Sequence, residues 1–423
     1  MSSLVSSRAS RAVILLFTLW SGLTGVARAE DSAAAPAQPA VPPATASPEK
    51  APAPPPTITA EPGKGIVVKT ADDRLSFGVR ARAQLRSTFV HVGDSDSSET
   101  QVRTIRLILS GHVLSPDIRY TVQLAYGGND FETGSSSPVF DAYVDYTRFR
   151  DLNIRVGQFF VPLDRARTVR EFALQFVDRQ LAVRELNLDR DVGVMLSSNN
   201  LFGLQERLAY QFFVGGGEGR NRFGTFAVGP LTTLRFTVRP FGAFDDEQEA
   251  DLTRAARPRL AVGVAGGYNY RTVRSLSTHS TAFTVGNVNY THLVADLVFK
   301  YRGLSFLTEF LWRKASQDTL EKETNGTVTR EFTRTGHGYF VQGGMMLNDR
   351  LEVTARWDKL FARGNTDPQL VQLVRTQGKQ LGTGLNYYLN GHAFKVQSDY
   401  FYIFGDEGID PRHQVRLQLD ASF

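Results

Sequence analysis

The sequence predicts an all-β protein, a 16-stranded antiparallel transmembrane β-barrel, on the basis of three observations. Apolar and polar residues alternate with a period of two over most of residues 63–423. The chain begins with an apolar leader typical of exported proteins. The connections between the predicted strands alternate between short turns and long loops, as they do in outer-membrane barrels.

Residues 1–29 have the pattern of a signal peptide. Two arginines precede an apolar stretch from Ala12 to Trp20, and the tripeptide Ala27-Arg28-Ala29 supplies the small residues expected before a cleavage site. The apolar stretch is shorter than a membrane-spanning helix requires, which favours cleavage before Glu30 over an uncleaved anchor.

Residues 30–62 differ from the rest of the chain in composition. They consist mainly of Ala, Pro, Ser and Thr and contain ten of the 18 prolines. Such a segment has too little apolar surface to offset the entropy of ordering. We therefore predict a disordered, Pro/Ala-rich periplasmic tail, either a plain linker or a spacer that contacts the cell wall, followed by the barrel at residues 63–423.

Alternating runs between turn signals predict the strands of the barrel. In the first run, Leu75, Phe77 and Leu85 share one face while Arg80, Arg82 and other polar residues share the other. One stretch near residue 170 has helical spacing instead. The predicted strands lie near residues 75–92, 100–114, 118–128, 139–149, 152–162, 190–198, 207–216, 230–241, 258–272, 287–302, 304–316, 335–348, 351–362, 375–389, 393–404 and 413–423.

A soluble β-sandwich is the alternative for any sequence of this period. Many of the runs reach ten or more residues, which is long for a sandwich strand but suits a tilted membrane crossing. Aromatic residues mark the two ends of the outward faces, as at two membrane interfaces. One connection departs from the barrel pattern: residues 243–257 form a long acidic turn where a short one is expected.

Several stretches resemble the phosphate-selective porin O and P family. They are GQFFVPL at residues 157–163, RDVGV at 190–194, VRTIRLILSG at 102–111 and PVFDAYVDY at 138–146, and their order and spacing are similar over most of residues 63–423. The resemblance implies a channel, usually a homotrimer, in the lipid of the outer membrane of a Gram-negative bacterium. It also implies that the third loop folds inward to narrow the pore.

The residues themselves favour a narrowed channel. A barrel of 16 strands is too wide for its own side chains to fill. Residues 163–189 form the longest segment between strands, so we predict that this loop makes the constriction; the alternative is a solvated external loop. Five acids in the loop balance its five arginines. These candidate constriction residues are Arg165, Arg167, Arg170, Arg179 and Arg184.

The predicted strand facing places an excess of basic residues in the lumen. Together with Lys300 and Lys395 we count 12 basic positions against seven acids, which predicts passive diffusion of small hydrophilic solutes with a preference for small anions such as phosphate. The alternative is that these arginines pair with the acids across the wall. The lumenal arginines are Arg80, Arg82, Arg86, Arg106, Arg119, Arg155, Arg235, Arg239, Arg356 and Arg416.

Other functional classes find less support. Without the three arginines of the leader, the 48 basic and 43 acidic residues nearly balance, so we expect no nucleic-acid partner. The chain has no cysteine, its seven histidines are scattered, and it lacks a nucleophile or phosphate-binding motif. We expect no catalysis, metal site or cofactor. The remaining alternative is a structural or surface-interaction barrel without an open channel.

Overall fold

The wall of the protein is a closed β-barrel. The computed structural model describes residues 55–128, 130–131, 137–222 and 229–423. The wall strands pair with their neighbours in an antiparallel manner, and the last of them pairs with the first. Closure leaves no strand edge exposed to lipid, where an unpaired backbone group would be costly. The predicted barrel of 16 strands is confirmed, whereas the predicted signal peptide and residues 30–54 lie outside the described residues.

Twenty strands are described. Sixteen of them form the wall, and the other four form two hairpins. The hairpins are formed by the first and second strands and by the fourteenth and fifteenth. In chain order the strands are β1 (Thr57–Glu61), β2 (Gly65–Lys69), β3 (Leu75–Val92), β4 (Ser95–Val113), β5 (Ile118–Ala125), β6 (Val139–Tyr146), β7 (Asn153–Phe160), β8 (Arg190–Ser198), β9 (Leu208–Gly215), β10 (Leu231–Val238), β11 (Arg259–Thr272), β12 (Val288–Tyr301), β13 (Leu304–Ala315), β14 (Thr319–Thr324), β15 (Thr327–Phe332), β16 (Gly336–Met346), β17 (Leu351–Ala362), β18 (Lys379–Asn390), β19 (Phe394–Phe404) and β20 (Arg412–Ser422).

The alternation in the sequence determines which side chains face the lumen. On β3, Arg82 and Arg86 are buried inside the barrel, while Phe77 and Leu85 are exposed on the outer face. The lumenal side chains are buried because loops fold into the barrel and cover them. We call the two ends of the barrel the short-turn end, which includes Phe423, and the long-loop end.

Three short α-helices interrupt the connections at the long-loop end. They are α1 (Arg165–Thr168), α2 (Leu181–Leu186) and α3 (Pro368–Gln377). The third was not predicted, although Asp367 and Pro368 carry a recognisable start signal: the Asp367 carboxylate accepts a hydrogen bond from the Gln369 amide at 2.8 Å. This helix delays the following strand to Lys379, so the predicted start at residue 375 is wrong. None of the described helices is both long and apolar enough to cross a membrane.

The boundary predicted for the disordered tail also needs correction. Residues 57–61 form β1, which pairs with β2 from Thr57↔Lys69 to Glu61↔Gly65. In turn, β2 pairs with the first residues of β3, which β20 does not reach. The chain before residue 63 therefore adds backbone hydrogen bonds at the short-turn end, which its composition did not indicate.

The lipid-facing surface supplies a test of the fold. Leu417 lies in the middle of β20 with an exposed side chain between apolar neighbours on the outer face. We expect Leu417→Arg to lower the free energy of unfolding by about 2–4 kcal/mol, because the charge would be placed in the hydrocarbon of the membrane. Denaturant titration in lipid vesicles measures the effect. Leu417→Ala controls for the lost side chain, and equal losses in both variants would contradict an outward Leu417.

Candidate functional site

The loop of residues 161–189 lies inside the barrel. It contains α1 and α2, and Asp164 caps the first helix by accepting a hydrogen bond from the Arg167 amide at 2.6 Å. Leu163, Ala166 and Leu186 are buried in one apolar cluster with side chains of the wall strands. The prediction that this third loop folds inward is confirmed. Apolar contact with the wall explains why it does not extend into solvent.

Polar contacts attach both ends of the loop to neighbouring strands of the wall. Arg165 forms ion pairs with Asp296 of β12 at 2.6 Å and with Asp246 at 2.7 Å. Near the far end of the loop, Glu185 accepts from Arg313 of β13 at 2.7 Å. Because these partners are themselves buried, removing one member of a pair would leave an unpaired charge in the interior, which is costly.

The middle of the loop is fixed to the strands that close the barrel. Lys395 of β19 donates to the Leu174 carbonyl at 2.8 Å, and the Val177 amide donates to Asp399 at 3.0 Å. Asp178 lies 3.4 Å from Arg86. Although burial raises the pKa of Asp178, the charge of Arg86 and of neighbouring arginines outweighs it and holds the pKa below its usual range. The carboxylate therefore stays ionised at neutral pH and offsets part of the positive charge around it.

The five loop arginines predicted at the constriction occupy different environments. Arg165 is held in its two ion pairs, and Arg167 pairs with Asp189 at 2.6 Å. Arg179 is buried and donates to the carbonyls of Ala166 and Val169. Only two of the five have exposed side chains, Arg170 and Arg184. Burial and the charge of Arg167 lower the pKa of Arg179 to about 10, so it remains cationic at neutral pH.

A cavity of about 490 Å³ separates the loop from the wall formed by β3–β10. Its lining is strongly basic: among the described residues, 11 basic side chains face it against four acidic ones. The acidic side chains are Asp141, Glu171, Asp246 and Glu247. The basic ones are Lys64, Arg80, Arg82, Arg106, Arg155, Arg165, Arg170, Arg179, Arg190, Arg235 and Arg239.

The wall arginines predicted from alternation are distributed over this cavity and a smaller one. Six of the ten line the large cavity, and Arg356 and Arg416 line the smaller cavity of about 120 Å³. Arg86 is covered by the loop and donates to the Val177 carbonyl at 2.7 Å. Arg119 has an exposed side chain next to a short turn and donates to the Pro116 carbonyl at 3.0 Å.

Most of these wall arginines are neutralised by a carboxylate, and for five of the ten that carboxylate lies on a wall strand. The alternative drawn from the sequence, in which lumenal arginines pair with acids, is confirmed for them. Such pairs fix the side chains and remove much of their long-range field. The pairs are Arg82–Asp420 at 2.5 Å, Arg155–Asp145 at 2.6 Å, Arg235–Asp296 at 2.6 Å, Arg356–Asp358 at 2.8 Å and Arg416–Asp399 at 2.8 Å.

Three arginines of the large cavity differ from the others. Within the described part of the chain, Arg80, Arg170 and Arg179 have no carboxylate at ion-pair distance. Arg179 is buried and donates to carbonyls of its own loop, whereas Arg80 and Arg170 remain accessible; Arg80 donates to the Gly63 carbonyl at 3.2 Å. The guanidinium carbon of Arg80 lies 6.0 Å from the ring of Phe172, two residues after Arg170. The wall and the loop thus each contribute one accessible, uncompensated positive charge to the same cavity.

Arg190 was missed as a lumenal residue. Strict alternation from Val192 and Val194, which face outward, would place it in lipid. The chain instead leaves the sheet at this point to form the loop, and Arg190 turns into the barrel. Its guanidinium carbon lies 3.6 Å from the ring centres of both Phe140 and Phe160, and its Nε donates to Asp141 at 2.8 Å. The stacked and paired arginine is a rigid part of the cavity wall.

The long acidic turn noted in the sequence also enters the barrel, from the short-turn end. Glu249 is buried and accepts hydrogen bonds from the Gln175 amide at 2.7 Å and from the Gln342 side chain at 2.9 Å. Asp246, in the same turn, pairs with Arg165 and with Arg239. The turn contacts the constriction loop from the short-turn side and supplies two of the four acids of the large cavity.

The comparison with protein families decides the identity of this barrel. The family model for phosphate-selective porin O and P matches residues 77–403. The chain belongs to this porin family. It is therefore an outer-membrane channel protein of Gram-negative bacteria, and its lumen is the candidate site of permeation. No curated protein matches the chain.

Solved porins share the fold of this family member at low sequence identity. Salmonella typhi OmpF is 14% identical, with a TM-score of 0.59 over 84% of this chain and 100% of that one. The anion-selective porin from Comamonas acidovorans is 10% identical, with a TM-score of 0.52 over 82% and 100%. Pseudomonas putida OprB is 11% identical, with a TM-score of 0.52 over 82% and 94%.

In the described ranges, no group of three or more His, Cys, Asp or Glu side chains is placed to hold a metal ion.

The contacts of Glu249 lead to a prediction about the porin's constriction. Glu249→Ala should lower the free energy of unfolding by about 1–3 kcal/mol, because it leaves the buried Gln175 amide without its acceptor. A loosened loop should also increase the current noise of single channels. Asp349→Ala is the matched control, since its side chain is 94% exposed in another short turn. Unchanged noise and stability in Glu249→Ala would show that the turn does not support the loop.

Proposed function

We propose that this porin conducts small anions in preference to cations, and that the large cavity is where it selects them. The main support for this proposal is the lining of the cavity, which has 11 basic and four acidic side chains. Since many of the arginines are paired, the selectivity depends on the few charges that remain uncompensated. Arg80 on the wall and Arg170 on the constriction loop are the proposed selectivity residues.

The two residues lie where a solute would pass between loop and wall. An anion in the cavity would meet a positive charge on either side, and arginine presents a planar fork of donors that suits phosphate or carboxylate oxygens. Arg167 is a weaker candidate because Asp189 already occupies its guanidinium group. Phosphate is one anion that the two arginine side chains can accommodate. The arginines that are paired with carboxylates make the wall rigid but add little further attraction for anions.

Reversal potentials in a potassium chloride gradient across a planar bilayer test the proposal. We expect the sign of an anion-selective channel, and a cation-selective sign would refute the proposal. Addition of phosphate during the recording should reduce the chloride current if phosphate binds in the cavity. Absence of any conductance would instead favour a structural barrel.

The two proposed residues can be tested separately from the pore as a whole. Arg80→Gln and Arg170→Gln should each lower the anion-to-cation permeability ratio roughly sevenfold, since a unit charge about 7 Å away in water contributes about 0.6 kcal/mol to each ion, with opposite sign for anion and cation. Arg148→Gln is the control: its side chain is 67% exposed at the short-turn end. If Arg170→Gln shifts the reversal potential no more than this control, the loop does not line the selective part of the pore.

We further propose a homotrimer, as the family resemblance implies. Strands β5–β10 have only eight or nine residues. Eight residues at about 3.3 Å each and a tilt of about 40° span roughly 20 Å, less than the apolar band of about 25 Å of such barrels. A short wall is better matched by another protein surface than by lipid. Native mass spectrometry of the detergent-solubilised protein should give three chains, and a monomer would contradict this proposal.

The N-terminal tail is proposed to lie in the periplasm. Short turns of outer-membrane barrels face that compartment. The Gly63 amide donates to the Ser422 carbonyl at 3.2 Å, so the chain enters the barrel beside its own C-terminal strand at the short-turn end. These contacts support a periplasmic location for the residues before β1. A protease added to intact cells should leave the tail uncut.

A further inference from the structure

The outer surface of the barrel carries a basic cluster that the channel does not use. It consists of Lys359, Lys379 and Arg363 and lies on β17 and β18 near the long-loop end, where the side chains of the wall face lipid. Lys359 of β17 and Lys379 of β18 stand directly opposite each other in the sheet register. Both occupy outward positions, since Asp358 and Gln380 beside them are buried in the lumen. Two like charges opposite each other on one face of a sheet are destabilising.

Among the described residues, no carboxylate lies at ion-pair distance from this pair. The outward faces of the six fully described strands β13 and β16–β20 carry three ionic side chains, and all three are lysines: Lys314, Lys359 and Lys379. Over the described residues, none of the three forms an ion pair with a carboxylate. Arg363, directly after β17, adds a further positive charge, and its Nε lies 3.3 Å from His337. The cluster therefore lacks its counter-charge.

Aromatic side chains flank the lysine pair in the same row of the sheet. The register places Tyr339 beside Lys359 and Phe404 beside Lys379. The ammonium of Lys359 lies 4.6 Å from the ring centre of Phe361, and that of Lys379 lies 5.6 Å from the ring centre of Phe404. Such rings mark the interface between hydrocarbon and head groups. The lysines are thus held at head-group depth.

The rows nearer the membrane centre are apolar. Directly inside the lysine row, the register aligns Val341, Trp357, Leu381 and Tyr402 across β16–β19. This arrangement offers apolar surface to acyl chains and positive charge to the head group above them. Because the long loops of such barrels face the exterior, the row lies in the outer leaflet.

We propose that this surface binds a phosphorylated lipid of the outer leaflet. One phosphate group lies between Lys359 and Lys379, Arg363 is placed for a second, and the acyl chains follow the apolar rows beneath. Free phosphate has the same head-group chemistry, but it would not use the aromatic belt or the apolar rows. The site is separate from the lumen, and the inference does not depend on the selectivity of the channel.

The tryptophans of the chain provide a direct measurement. Outside the predicted signal peptide of residues 1–29, the chain has two tryptophans, Trp312 and Trp357. Trp357 precedes Lys359 by two residues on the same face, and Trp312 pairs with His337. Titration of the detergent-solubilised porin with an acylated glucosamine disaccharide bisphosphate should therefore change their fluorescence. We expect at least about tenfold tighter binding than for the dephosphorylated lipid, since a hydrogen bond to a charged group contributes about 1.5–3 kcal/mol.

Matched variants assign the effect to the lysine pair. Lys359→Gln/Lys379→Gln should abolish the preference for the phosphorylated lipid, and Lys359→Arg/Lys379→Arg should retain it. Lys69→Gln/Lys322→Gln removes the same charge from β2 and β14 and should bind as the wild type does. The heat-modified gel mobility of each variant reports whether the barrel has folded. If the double glutamine variant does not fold, Lys379→Gln alone should weaken binding roughly tenfold.

Three results would overturn the proposal. The wild type could bind both lipids equally, or the preference could persist in the folded Lys359→Gln/Lys379→Gln variant. In the third, inorganic phosphate would saturate the fluorescence change at the same concentration as the lipid, which would show a site for the free anion. If inorganic phosphate at a hundredfold excess over the lipid does not displace it, the lipid is the preferred ligand. A hundredfold ratio corresponds to a difference in binding free energy on the order of 2.7 kcal/mol.

Discussion

The structure depends on the closure of the sheet by the pairing of β20 with β3. In lipid, a backbone amide or carbonyl without a partner is costly, so a sheet can cross the membrane only as a ring. Ring closure also fixes the two faces of every strand: apolar residues such as Leu417 must face outward, and Arg416 beside it must face the lumen. Charge can therefore accumulate inside the barrel while its outside remains apolar.

A ring of 16 strands leaves a lumen too wide to select a small solute. Two segments reduce it, the loop of residues 161–189 from one end and the acidic turn with Glu249 from the other. They meet at the Gln175 amide and at the pair of Arg165 with Asp246. The large cavity remains on the side of β3–β10, and the apolar cluster around Leu163 and Leu186 attaches the loop to strands from β7 to β17.

The charges of this lumen differ in what they do. An arginine held by a carboxylate, such as Arg235 with Asp296, stiffens the wall but contributes little field. Among the described residues, Arg80 and Arg170 lack such a partner at an accessible position, and we propose that they dominate the potential that a solute meets. The same distinction applies outside, where Lys359 and Lys379 face lipid without a counter-charge. In both places the informative residue is a cation that has no carboxylate partner among the described residues.

By itself, the sequence determined the number of strands, their order and the face of most side chains, because alternation is a local property that membrane and lumen impose on each strand. It also located the inward loop by its length. It did not show α3, the pairing of β1, or the inward position of Arg190, where the chain leaves the sheet. Nor could it separate Arg167, paired with Asp189, from the uncompensated Arg170. Only the tertiary structure decided those points, because a side chain's charge partner is set by distances between strands and loops that are far apart along the chain.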